Sequence, residues 1–367
     1  MRVIQIIIAL LILWGLNYYV FYRLWRMIPA IVWGRILLVI SGLFAILSPF
    51  LSIYFGDRLP LSVASLLYTL GTAWFILLLY LIMIFLLFDL LRLTRLIPVE
   101  RLIYESRTGF GLLTILLIAL TTFGFVRYQN KEHVTLMVSV DKTLAQPLKI
   151  VAISDLHLGY TIGKGELEQW VVLINREKPD IVLIAGDVID LSVRPLYEQG
   201  MTDSFKKIKT RYGVYTVLGN HEYLGNVQER IDFFKRAGIM VLRDSSILIH
   251  DSFYLVGRDD RRNKQRRSLA SLMALLDRSK PVIMLDHQPF ELDQTAKSGV
   301  GLQISGHTHH GQIWPVSLIV DRLYEQSYGY IKKGDSHIYV SSGLGIWGGK
   351  FRIGTRSEYV SIHLRQR

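Results

Sequence analysis

The sequence predicts an α/β protein in two parts: a four-helix transmembrane domain over residues 1–127 and an α/β domain over residues 128–367. Three observations lead there. Four long apolar stretches fill the first third of the chain. From about Tyr128 onward, short apolar runs alternate with segments of helical spacing. Five of those runs end on turns rich in Asp, Asn, Gly and His.

The apolar stretches span residues 3–22, 36–55, 61–88 and 110–126. A membrane-crossing helix needs about 20 such residues. Residues 1–127 contain no Lys and only four acidic residues, Asp57, Asp89, Glu100 and Glu105. Buried helices of a soluble core would not need so long a run as the third stretch. Pro49 and Gly71 fall inside spans, which membrane helices tolerate. Tyr18, Tyr19, Tyr22, Trp25 and Trp33 cluster as interfacial aromatics do. The first stretch follows Arg2 like a signal peptide, but bulky residues 17–22 replace a small-residue cleavage site, so an uncleaved helix is expected.

Four spans return the chain to the side on which it started. Arg23, Arg26, Arg35, Arg92, Arg95, Arg101 and Arg107 occupy the first and third loops, against Arg2, Arg58, Arg127, Lys131 and Lys142 on the other side. The positive-inside rule then places the Arg-rich loops in the cytoplasm and the α/β domain outside it. A transporter needs ionisable groups within its spans. Only Arg35 and Asp89 come close, near span ends, so anchoring in the lipid bilayer is the expected role. The net charge of +12 is in part topogenic. The absence of cysteine excludes disulfides, thiolate nucleophiles and cysteine-ligated zinc.

In the second part, residues 149–153, 181–185, 214–218, 281–285 and 302–305 read as buried strands, with further strands at 338–342 and 359–364. Helices are expected over 166–177, 204–210, 226–237 and 268–277. This alternation argues for an α/β domain with buried sheets.

The strand ends carry the chemistry. In order they are Asp155-Leu156-His157, Gly186-Asp187-Val188-Ile189-Asp190, Gly219-Asn220-His221-Glu222, Asp286-His287-Gln288 and Gly306-His307-Thr308-His309. Carboxylate, imidazole and amide oxygen suit borderline divalent metals such as Mn, Fe and Zn. Asp155 and His157 can point at one ion from one turn, and Asp187 can bridge two through its two oxygens. Two ions about 3.5–4 Å apart can hold a hydroxide nucleophile and clamp phosphoryl oxygens. A lone Asp after a strand is usually a turn residue or cap, and a lone His is usually a hydrogen-bonded polar group. The joint occurrence outweighs both readings: five of the ten histidines fall in these motifs.

The ordered set resembles the calcineurin-like metallophosphoesterase superfamily, from Leu148 onward. Residues 154–159, 306–312 and 339–349, with Arg352-Ile353-Gly354, resemble a bacterial membrane-associated phosphodiesterase branch. The layout is similar to an animal family of transmembrane proteins with a metallophosphoesterase domain. The resemblance implies two packed mixed β-sheets flanked by helices and a phosphohydrolase with two divalent metal ions. It implies that Asp155, His157 and His309 bind one ion and Asn220, His287 and His307 the other, with Asp187 bridging. His221 then stabilises the phosphoryl group or protonates the leaving oxygen, and Asp190 and Glu222 orient imidazoles. Phosphodiester or pyrophosphate bonds are the expected targets, and the tether favours an amphiphilic or cell-envelope phosphoester. His310 stands where this branch usually has Gly, as a bystander or a further phosphate contact.

Residues 258–267 hold six basic side chains, including Arg258, Arg261 and Arg262. They read either as a solvated loop or as a clamp for an anionic substrate. No aromatic residues interleave with them, so nucleic acid is not expected. A non-catalytic scaffold on the same fold would be favoured by missing ligands, and none is missing. A membrane sensor or transporter would be favoured by polar spans, and these are sparse.

Overall fold

The computed structural model describes residues 2–95 and 98–367. The chain separates into two compact units, Met1–Phe123 and Gly124–Arg367.

The apolar stretches form α1 (Arg2–Met27), α2 (Val32–Phe55), α3 (Leu61–Thr94) and α5 (Arg107–Gln129), with a short α4 (Glu100–Ile103) before α5. All four long helices are long and apolar enough to cross a membrane. Within the first unit Val20, Leu24, Met27, Leu78, Leu81, Phe85 and Leu113 pack into one core. Many other apolar side chains, such as Leu11, Leu37 and Leu93, point outward, as lipid-facing residues do. Gly71 leaves space for the Pro49 ring, since a Cβ there would overlap it. Asp89 lies inside α3, where Arg23 pairs with it and the Tyr19 hydroxyl donates to it at 2.7 Å. Pairing of this kind is how an ionisable group within a span is accommodated.

The second unit contains two six-stranded mixed sheets. The first runs β1-β12-β2-β3-β4-β5, with β1 (Lys131–Val140), β2 (Leu148–Ile153), β3 (Ile181–Ile184), β4 (Val214–Thr216), β5 (Ile239–Val241) and β12 (Ser357–Gln366). The second runs β10-β11-β9-β8-β7-β6, with β6 (Ser245–Ile249), β7 (Phe253–Gly257), β8 (Val282–Leu285), β9 (Leu302–Ser305), β10 (Gly329–Lys333) and β11 (Ser336–Val340). β2, β3, β4 and β5 are mutually parallel, as are β7, β8, β9 and β11.

Strand alternation explains the continuous apolar runs. Ile150, Ala152, Leu183, Ile283, Leu285 and Ile304 meet in the core between the sheets. Val151, Ile153, Val182 and Ile184 face the opposite way, toward helices. Val282 and Met284 do the same on the second sheet. Strands buried on both faces have no polar side to show. Helix α6 (Lys164–Arg176) buries Leu167, Trp170, Val171 and Ile174, one stripe of a 3.6-residue period.

Some expected elements move. The helix expected over 204–210 is instead α8 (Met201–Phe205), preceded by α7 (Arg194–Glu198). The chain then turns, with Thr210 Oγ1 accepting from the Gly213 amide. Asn226 caps α9 (Val227–Arg236), accepting from the Gln228 amide. Helix α10 (Leu269–Met273) is shorter than expected, because Asp277 accepts from the Ser279 amide in a turn. Four helices and five strands lie in stretches without an expected element: α4, α7, α11 (Leu292–Ser298), α12 (Val316–Leu323), β1, β5, β6, β7 and β10.

Candidate metal centre

The parallel strands deliver their following turns to one edge, where open α/β sheets commonly hold ligands. Asp155 and His157 follow β2, Asp187 follows β3, and Asn220 and His221 follow β4. His287 follows β8, and His307 and His309 follow β9. The first five come from one sheet and the last three from the other, so the site straddles the seam between them.

Three groupings of side chains converge: Asp155, His157 and His309; His157, Asp187 and His221; and Asp187, His287 and His307. Donor atoms within each lie within 4.8 Å of one another. His157 Nε2 and His309 Nε2 face each other at 3.0 Å, and His309 Nε2 lies 3.6 Å from Asp155 Oδ1. Asp187 Oδ2 stands 3.8 Å from His157 Nε2 and 3.2 Å from His287 Nε2. His287 Nε2 is also 3.1 Å from Asn220 Oδ1.

The surroundings fix which nitrogens point inward. His287 Nδ1 lies 2.7 Å from the Ala185 carbonyl, a pairing that turns Nε2 toward Asp187 and Asn220, where a cation could take the place of its proton. His157 Nδ1 lies 3.5 Å from Asp190 Oδ1. His221 Nδ1 is 2.9 Å from the same Asp190 oxygen. Imidazoles beside two fully buried carboxylates and an amide oxygen form a donor set that fits borderline divalent cations.

Electrostatics tie the groups together. Burial alone would raise the Asp187 carboxyl, but His287, His221 and His157 hold it well below the usual carboxylate range. Burial pushes Asp155 up. His287 is lifted well above the ordinary imidazole value, because the Asp187 charge and hydrogen bond outweigh burial. Burial, with the charge of His287, pushes His307 down to about 3.

The backbone is bent to reach this arrangement. Asp155, His157, Asp187, His307 and His309 have φ of 53°, 46°, 50°, 73° and 49°. Non-glycine residues adopt this left-handed region rarely, and clusters of it mark functional sites. Gly219 and Gly306 are required by close approach, since a Cβ on either would collide with the carboxylate of Asp187 or Asp155.

Other expected site residues fall differently. Asp190 does face imidazoles. Glu222 does not: its buried carboxylate accepts the backbone amides of Asp187, Val188, Ile189 and Gly219 at 2.7–3.0 Å. His310 stacks on Tyr328 with ring centroids 4.8 Å apart and lies 3.5 Å from Asp321 Oδ1. Segment 258–267 is not simply a solvated loop. Arg258 is 5% exposed, with Nη1 3.2 Å from Asp286 Oδ2, and Arg266 Nη2 lies 2.5 Å from the same oxygen. Arg261 and Arg262 remain exposed.

Arg352 had not been singled out as a site residue. It is fully buried and donates to the carbonyls of His309 at 2.7 Å and of Gly345 at 3.1 Å, bracing the turn that carries His309. In the sequence it stands out only as part of the Arg352-Ile353-Gly354 stretch that carries the family resemblance.

This geometry agrees with comparisons to known proteins. The calcineurin-like phosphoesterase profile matches residues 148–311. An uncharacterised metallophosphoesterase of Aquifex aeolicus is 31% identical over 225 residues, covering 59% of this chain and 85% of that protein. The chain belongs to the calcineurin-like phosphoesterases. A Helicobacter pylori metallophosphoesterase is 31% identical over 247 residues, 66% of this chain and 65% of that protein. A transmembrane protein with metallophosphoesterase domain from Danio rerio is 30% identical over 235 residues, 60% of this chain and 53% of that protein. The phosphoesterase therefore spans less than two thirds of these last two relatives. Members of this family are metal-dependent phosphoester hydrolases that generally hold two divalent ions, and the clustered His and Asp side chains are the residues able to hold them here.

Proposed function

We propose that this chain is a membrane-anchored hydrolase of phosphodiester or pyrophosphate bonds, acting on an amphiphilic substrate with its catalytic domain outside the cytoplasm. In this reading residues 1–127 are the anchor and residues 128–367 the catalytic domain. The observation that carries it is Asp187, whose carboxylate lies between His157 of one grouping and His287 of the other.

Asp155, His157 and His309 would hold one ion and Asn220, His287 and His307 the other, with Asp187 shared. Two such ions supply Lewis acidity toward a water and toward the phosphoryl oxygens. The chain does the rest. Asn220 contributes a neutral oxygen, which limits negative charge facing an anionic substrate. The His221 amide donates to Asp187 Oδ1 at 2.8 Å and keeps its other oxygen turned to the imidazoles. With Nδ1 at Asp190, His221 has Nε2 left to donate to the phosphoryl group or to the leaving oxygen as the P–O bond breaks. The choice of diester over monoester rests on the tether and the family resemblance.

The test is metal analysis of the purified full chain together with turnover of mono- and diester substrates, with and without lipid. Two ions per chain and diester turnover are expected. Monoester turnover alone would reverse the substrate assignment.

A further inference from the structure

A cavity of about 410 Å³ is lined by Arg258, Arg261, Lys264, Arg266 and Arg267, with Glu291 among them. Five cations around one acid on a single wall is a composition built for an anion. Asp286 and Glu291 neutralise only part of this charge: Asp286 takes Arg258 and Arg266, and Glu291 lies 3.6 Å from Arg258 and 3.7 Å from Arg261. Arg266 is nine-tenths buried, and its Nη1 has no acceptor among the described residues. The same holds for Arg258 Nε. A buried guanidinium N–H without an acceptor is costly, so the charge of these two arginines is only partly met within the fold.

The cavity connects to the metal centre in two ways. Asp286, which anchors both buried arginines, immediately precedes His287. An aromatic track covers the same ground: the Arg261 guanidinium sits 4.5 Å over Phe290, Phe290 is 5.0 Å from Tyr324, and Tyr324 is 6.1 Å from His307.

We infer that this cavity binds a second phosphoryl group of the substrate, held apart from the bond that is cleaved. The substrate class is then a molecule with two separated phosphoryl groups, the second recognised by arginine and lysine. The binding site stands by itself, and its assignment to substrate rests on the hydrolase reading. Guanidinium forks meet phosphate oxygens two at a time, and a phosphoryl group offers this many cations more oxygens and more charge than a carboxylate does.

The test uses the full chain in detergent and has two arms. In the first, metals are stripped with a chelator and inorganic phosphate is titrated calorimetrically into wild type and into Arg261→Gln/Lys264→Gln/Arg267→Gln. These three side chains are exposed, so the variant should keep its fold, and its melting temperature checks this. Phosphate binding should weaken at least about tenfold, the loss of one charged hydrogen bond. Equal affinity in both proteins overturns the site. In the second arm, with metal restored, kcat/KM is compared for bis(4-nitrophenyl) phosphate and for a 4-nitrophenyl diester carrying a distal phosphate. The variant should lower the ratio of the second to the first at least about tenfold. A ratio that stays the same overturns the substrate assignment. Lost phosphate binding with no turnover of either ester removes the hydrolase reading and leaves the anion site standing.

Discussion

Glu222 holds Asp187 from behind: its carboxylate accepts the Asp187 amide at 3.0 Å while also taking the amides of Val188, Ile189 and Gly219. One buried side chain thus ties the turn after β3 to the turn after β4. The carboxylate shared between the two metal groupings thus owes its position in part to a residue that acts through backbone amides.

Replacing Glu222 by Ala should therefore leave four buried amides without an acceptor. At about 1–3 kcal/mol for each unsatisfied group, the loss should reach about 4 kcal/mol or more. Urea denaturation of wild type and variant measures it, and a change below 1 kcal/mol would mean that water replaces the carboxylate.

Asp187→Asn should disturb both proposed ions at once. We expect metal content to fall below two per chain and diester turnover to drop by more than about 100-fold, beyond the loss from removing a supporting group. Elemental analysis beside kinetics checks both. Two retained ions with full turnover would remove Asp187 from its shared role.

His221→Ala should lower turnover of a substrate with a poor leaving group by roughly 10²–10⁴-fold, the range for a general acid. Metal content should stay at the wild-type value. Loss of an ion in this variant would make His221 a ligand, which its place in the middle grouping allows.

Glu358 gives the fold a pH signature away from the metal ligands. Burial raises its pKa, although the hydroxyls of Tyr328 and Tyr339 donate to it at 2.7 and 3.0 Å. The folded chain thus keeps this proton to higher pH than the unfolded chain. The stability it contributes is complete below about pH 4.3, the ordinary glutamate value, and is lost as pH rises through the folded value. Glu358→Gln should flatten that decline. Melting temperatures from pH 4 to 8 measure it, and parallel curves for the two proteins would assign the slope to other groups.

A reporter fused after Arg367 should be active when it needs the periplasm or exterior, and silent when it needs the cytoplasm. The argument is the return of four spans to one side and the arginine bias of the two loops. The opposite pattern would invert the topology and leave the metal chemistry intact.

Much of this was legible in the sequence because two periodicities are strong. Helices long enough to cross a bilayer cannot hide in a 20-residue window, and strands buried on both faces leave unbroken apolar runs. The turns after β2, β3, β4, β8 and β9 were readable because ligand residue types crowd there. Edge and hairpin strands were not: β1 alternates Glu132, His133 and Thr135 with apolar residues, and β10 carries Lys332 and Lys333. Glu222 was read as a partner of imidazoles because its backbone role depends on two turns meeting in space. Whether Arg258 sits in a solvated loop or a clamp stayed open for the same reason, since its partner Asp286 lies on another strand's end. The left-handed backbone of five proposed ligands leaves no trace in residue type.

Strand order also constrains how the domain is made. β12 sits between β1 and β2, pairing in parallel with one and antiparallel with the other. A ribosome delivers β1 and β2 early, yet β12, the strand that joins them, emerges much later. The first sheet therefore cannot close during most of synthesis, and its early strands must wait, which makes folding slow and dependent on distant contacts. A nascent chain stopped after His309 would carry every proposed ligand and still have β1 parted from β2. The proposed ligands are thus all made before the strand that joins β1 to β2.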